Sequence, residues 1–118
     1  MSADSVPTLD RSFLLEMLDG DEEIAQEIMD LYLDEIPTMV AVIRHAVGDG
    51  DAEAIRRGAH TLKGASANVG ATAMRELCSR IEQAGAAGDV GTATQLFGRM
   101  DVESLRLIAA ARGVFQAA

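Results

Sequence analysis

The chain has 118 residues, 48% of them hydrophobic and 3% aromatic, which suits one domain with its own core, and its single cysteine rules out an internal disulfide. Its net charge of −9 argues against nucleic acid and anionic membrane surfaces as partners, because neutralising phosphate needs clustered Lys and Arg. No apolar run approaches the ~20 residues of a bilayer span, and no basic start followed by an apolar stretch marks a signal peptide, so a soluble cytoplasmic protein is expected.

Residues 1–7 form a polar lead, expected to be flexible, and residues 8–118 are expected to form a single domain. Asp10 is placed to cap a short helix running to about Asp19, with Phe13, Leu14 and Met17 as its apolar stripe and Gly20 as its stop. A long helix is predicted from about Asp21 to Val47. Its stripe is Ile24, Ile28, Leu31, Tyr32, Ile36, Met39, Ile43 and Ala46. Pro37 removes one helical hydrogen bond, but the stripe stays in phase across it, which predicts a kink within one helix. Gly48-Asp49-Gly50 ends it.

Asp51 caps a third helix running to about Asn68, and Val69-Gly70 is a tight link. A fourth helix starts near Thr72, with Met74, Leu77, Cys78, Ile81 and Ala84 on one face and Gly85 and Gly88 as terminators. Asp89 caps a last helix with the stripe Ala93, Leu96, Phe97, Met100, Leu107, Ile108 and Phe115. Short links between amphipathic helices force antiparallel neighbours. The expected fold is all-α, an up-down four-helix bundle with an additional short N-terminal helix.

The third helix carries the most informative stretch, Arg56 to Gly70, with the chain's only lysine and one of its two histidines. At about 100° per residue, with Arg56 at zero, Ile55, Gly58, Leu62, Ala65, Ser66 and Val69 fall between about 180° and 280° and form the buried face. His60 falls near 40°, almost opposite. Arg56, Lys63, Gly64 and Ala67 share its face, within side-chain reach along the helix.

Each feature has an ordinary explanation. An exposed histidine is usually decoration, and Lys63 can be a solvent-facing cation. Gly58, on the buried face, can admit a neighbouring helix. Gly64 is harder to dismiss, since an exposed glycine in mid-helix costs roughly 1 kcal/mol against alanine. Clearance beside His60 gives it a reason, and Ala67 adds to that clearance.

Metal binding does not suit this face, which offers one ligand among cations where a site wants three or four. General acid–base catalysis needs a pocket and a partner carboxylate or nucleophile, and neither is visible. A largely neutral imidazole can act as a nucleophile toward phosphorus, with Lys63 and Arg56 placed to stabilise the anionic product. Phosphoryl transfer is mostly positioning and charge neutralisation, so one exposed helix can host half a site.

The segment Ala59-His60-Thr61-Leu62-Lys63-Gly64-Ala65-Ser66-Ala67-Asn68-Val69-Gly70-Ala71 resembles the signature of histidine-containing phosphotransfer (HPt) domains of two-component phosphorelays. Leu77-Cys78-Ser79-Arg80-Ile81-Glu82 with Gly88-Asp89, and the helix order, extend the likeness over the chain after about residue 8. Ile81 stands where Leu is frequent in such domains, a conservative exchange. The resemblance implies that His60 is phosphorylated at Nε2, that Lys63 stabilises the phosphoryl group, and that Gly64 leaves room for the partner. It implies a receiver-domain partner, in a response regulator or hybrid sensor kinase, whose aspartate exchanges the phosphoryl group and which brings Mg²⁺. No kinase or ATP-binding module is visible, so a stand-alone, monomeric carrier without independent turnover is expected.

His45 flanks the second helix's stripe and reads as structural or solvated. Cys78 reads as a small core residue. The first 53 residues hold 14 acids and 2 bases against 5 acids and 8 bases in the remainder, which solubility explains or which steers partner choice. Phe13, Met17 and Ile36 are candidates for a docking patch or for the core. Two alternatives stand beside the carrier: a bundle that regulates a receiver or kinase by docking alone, and a helical scaffold in which the motif is chance.

Overall fold

The computed structural model describes residues 7–115, with the side chains of Met17 and of residues 113–115 left aside. The lead at residues 1–7 therefore lies almost wholly outside the described residues, as do the Met17 and Phe115 side chains. Six helices follow in order: α1 (Arg11–Met17), α2 (Glu22–Asp49), α3 (Ala52–Asn68), α4 (Thr72–Ala86), α5 (Val90–Phe97) and α6 (Met100–Phe115). No strand occurs among the described residues. None of their helices is long and apolar enough to cross a membrane.

Four aspartates cap helices: Asp10, Asp51 and Asp89 as their positions predict, and Asp21 in addition. Asp10, Asp21, Asp51 and Asp89 each accept a hydrogen bond from the backbone N–H three residues on, at 3.0, 3.1, 3.0 and 3.0 Å. Each satisfies a donor that the first helical turn leaves without a partner. α2 ends at Gly50 in the left-handed conformation (φ 65°). It continues as one helix through Pro37, and its 28 residues make it the long spine of the molecule. Asp10 donates its N–H to the Gly70 carbonyl at 2.7 Å, which ties α1 to the α3–α4 turn.

α2, α3 and α4 form three walls of the bundle, and α5 and α6 together complete the fourth. The core contains Met29, Ile43, Ile55, Leu62, Met74, Ile81, Met100 and Leu107, all essentially fully buried. The α4 stripe is buried throughout, as predicted. One polar contact crosses this core: the hydroxyls of Tyr32 on α2 and Ser66 on α3 lie 2.7 Å apart. Burial pushes the Tyr32 phenol well above its usual range, so it remains a neutral hydrogen-bonding group.

Three expectations need correction. The last helix is broken at Gly98-Arg99. The Gly98 N–H is shared between the Thr94 and Gln95 carbonyls, and Arg99 N–H bonds three residues back to Leu96, so the α-helical ladder lapses for one turn. The stripe hides the break because Ala93, Met100, Leu107 and Ala111 remain buried.

The N-terminal half of α2 is rotated from the predicted face. Ala25 and Met29 enter the core, while Ile24 and Leu31 are 44% and 63% exposed. A count of large apolar residues passes over Ala25, which is fully buried. Ile36, a docking-patch candidate, is core at 4% exposure.

Finally, Gly85 does not end α4. It is buried inside the helix, and Gly88 (φ 72°) makes the turn. A Cβ at Gly85 would lie 2.9 Å from both the Ala52 carbonyl oxygen and the Arg56 nitrogen of α3.

Candidate functional site

α3 packs most extensively against α4 and next against α2. Gly58 faces α2, where a Cβ would meet the Ile43 side chain at 3.0 Å. With Ile55, Ala59, Leu62 and Ser66 also buried, the helix is rotationally fixed. That rotation turns His60 outward, and its side chain is 66% exposed. The angular reading of the sequence therefore holds for His60 and for the buried face.

The structure adds a residue to which the sequence reading gave no role. Glu82 on α4 reaches across to α3, accepting from His60 Nδ1 with one oxygen and from Lys63 Nζ with the other, both at 2.5 Å. Lys63 holds the Glu82 carboxyl below the ordinary glutamate range, aided by His60 and opposed by partial burial. A carboxylate can only accept, so Nδ1 carries a proton, and the tautomer this bond selects has its lone pair on Nε2. No protein group among the described residues hydrogen-bonds Nε2. The site is thus an exposed nucleophilic nitrogen, with its ring oriented from behind and an ammonium group one turn along the helix.

A signal for Glu82 existed in the sequence. α3 and α4 are antiparallel around the Val69–Ala71 turn, and folding the chain back there sets residues near 82 opposite residue 60. Angular position along α3 alone does not show the partner carboxylate, which comes from the neighbouring helix.

The other predicted site residues fare differently. Gly64 is exposed, and nothing lies within 4 Å of where its Cβ would stand, so the space beside His60 is open. Ala67 is partly buried and helps line a cavity of about 300 Å³ with Asp10, Phe13, Gly70 and Arg75. Arg56 lies one turn before His60 on the same helix. Its guanidinium forks onto Glu53, with bonds of 2.9 and 2.6 Å, and that carboxylate favours its charged form. His45 stands in solvent, its Nε2 3.5 Å from Asp49 one turn on. Cys78 is fully buried, and burial pushes its thiol up to about 12, which makes it an unreactive core residue. Among the described residues, no three His, Cys, Asp or Glu side chains gather as a metal-binding group.

A helical bundle presenting one exposed, carboxylate-oriented histidine beside a lysine defines a phosphotransfer class of protein. The sequence pattern of the Hpt domain matches residues 27–111, and the chain belongs to that family, the histidine-containing carriers of phosphorelays. It is similar to multistep phosphorelay regulator 1 of Schizosaccharomyces pombe, 38% identical over 73 residues, or 61% of this chain. The match covers 25% of that relative's length. In structure it is similar to histidine-containing phosphotransfer protein B from Pseudomonas aeruginosa, with a TM-score of 0.84, 25% identity, and 93% and 96% of the two chains covered. It also resembles the HPT domain of a sensor hybrid histidine kinase from Shewanella, with a TM-score of 0.76, 25% identity, and 92% and 94% covered.

Proposed function

We propose that His60 is the residue that carries the phosphoryl group, at Nε2, and that it exchanges it with a receiver-domain aspartate. The observation that carries this reading is the Glu82 bond to Nδ1, which leaves Nε2 as the exposed lone pair. Nε2 attacks the phosphorus of an aspartyl phosphate. The Nε2–P bond forms as the P–O bond to aspartate breaks, and the aspartate leaves as a carboxylate. The ring keeps its Nδ1 proton and becomes cationic, with Glu82 beside it to balance the charge. Return of the phosphoryl group reverses these steps.

Lys63 is 30% exposed along its side chain and can turn from Glu82 to the transferred group. Arg56, one turn before His60, is the second cation for that task, and its partly exposed pair with Glu53 leaves it able to turn to the same group. Open space at Gly64, with the small Ala67 one turn further, supports partner access, and Phe13, 42% exposed beside the same cavity, extends the face. The receiver brings the Mg²⁺ that neutralises the transferring phosphate. Residues 8–118 act as one unit in the cytoplasm, as a monomer whose bundle closes within one chain and which turns nothing over without its partner.

The test is transfer from a phosphorylated receiver to the wild-type chain and to His60→Gln. Acid-labile, base-stable label on wild type alone supports the assignment. Label that persists in the variant, or receiver binding with no label at all, overturns it.

A further inference from the structure

Glu82 reaches His60 and Lys63 only if α4 lies close to α3, and Gly85 stands where the two helices meet. Gly85 follows Glu82 by three residues, on the same side of α4. A Cβ there would sit 2.9 Å from the Ala52 carbonyl oxygen, 2.9 Å from the Arg56 nitrogen and 3.1 Å from the Arg56 Cα. These are backbone atoms of α3, around its first helical turn, and no side-chain rotation relieves them. Ordinary contacts begin at roughly 3.5 Å, so any side chain at Gly85 must push the two helices apart by about half an ångström. Arg56 and His60 are one turn apart on α3, as Gly85 and Glu82 are on α4. This close backbone approach thus lies one turn from the carboxylate clamp.

Gly58 provides the contrast. Its nearest atoms are the Ile43 and Val42 side chains, at 3.0 and 3.4 Å, across the α2 face. A methyl group there can be met by side-chain rotation without moving α4.

From this geometry we infer that Gly85 is a positioning residue for phosphoryl transfer: its missing side chain sets the α3–α4 distance at which Glu82 holds the His60 ring with Nε2 outward. The inference rests on the reading of His60 as the phosphoryl acceptor. Gly85 touches neither the phosphoryl group nor His60, and it acts through Glu82.

The test compares Gly85→Ala, Gly58→Ala, Glu82→Asp and the Gly85→Ala/Glu82→Ala double variant with the parent chain. Two readouts are used: the ring ¹⁵N signals of His60, which report which nitrogen carries the proton, and the rate of transfer from a phosphorylated receiver. The parent is expected to hold the proton on Nδ1. Gly85→Ala should lose that form and transfer about tenfold more slowly, the loss of roughly one charge-assisted bond. Gly58→Ala should keep it. In the double variant Gly85→Ala should slow transfer no further than Glu82→Ala alone.

Retention of the Nδ1 form in Gly85→Ala, its equal loss in Gly58→Ala, or full additivity in the double variant overturns the inference. Glu82→Asp covers the case in which Gly85→Ala does not fold. It withdraws the carboxylate by one methylene and leaves the glycine contact intact. An Nδ1 form unchanged in that variant shows that the spacing has no leverage. The ¹⁵N signals do not depend on phosphorylation, so they judge Gly85 even if label persists in His60→Gln, the result that would defeat the acceptor assignment itself.

Discussion

Replacing Glu82 with alanine tests the site where the structure went beyond the sequence. The variant removes two charge-assisted hydrogen bonds, to His60 Nδ1 and to Lys63 Nζ. A bond of this kind contributes ~1.5–3 kcal/mol net. The His60 side chain is 66% exposed, so water substitutes in part and the lower end applies. Loss of about 1.5 kcal/mol of ring orientation slows transfer about tenfold. Glu82→Gln keeps an oxygen that accepts from Nδ1–H, but as a neutral acceptor roughly half as strong, which leaves about a threefold loss. Single-turnover transfer from a phosphorylated receiver, at saturating partner, measures both. A Glu82→Ala rate equal to the parent's would refute the argument that the carboxylate orients the nucleophile.

Three further outcomes follow from the geometry. Ser66→Ala leaves the Tyr32 hydroxyl buried without its partner and should cost about 1–3 kcal/mol in urea unfolding, with part of that recovered in Tyr32→Phe/Ser66→Ala; a double variant as unstable as the summed singles would contradict it. Gly64→Ala meets nothing within 4 Å and should raise stability by up to ~1 kcal/mol while slowing transfer, and an unchanged transfer rate would remove the clearance role.

The third concerns acid. Glu82 is held below its ordinary range, first by Lys63, so its stabilisation is complete above the unfolded-state value of ~4.3 and is lost as pH falls through the lower folded value. Denaturation at stepped pH should show Glu82→Gln losing less stability than the parent over that acid range. Parallel curves would show that the clamp does not couple to folding.

Much of the fold is written in local chemistry. The capping aspartates and the glycine at position 50 mark helix ends without tertiary help, because each acts on backbone groups a few residues away. The outward setting of His60 is legible for the same reason, since helical angle is a local property. What escaped depends on neighbours. Gly98 interrupts a helix whose apolar stripe stays in phase, so periodicity cannot show the break. Ala25 rather than Ile24 enters the core because the packing of α2 against its neighbours, not the size of the side chain, sets which face is buried. Gly85 looks like a terminator until α3 is placed against it. Glu82 becomes part of the site only through the α3–α4 hairpin.

The most direct measurement follows acid-labile, base-stable phosphate from a phosphorylated receiver onto the intact chain, beside His60→Gln and His45→Gln. Label is expected on the parent and on His45→Gln, and none on His60→Gln. Label on His60→Gln, or its loss with His45→Gln alone, would contradict the assignment of His60 as the phosphoryl carrier.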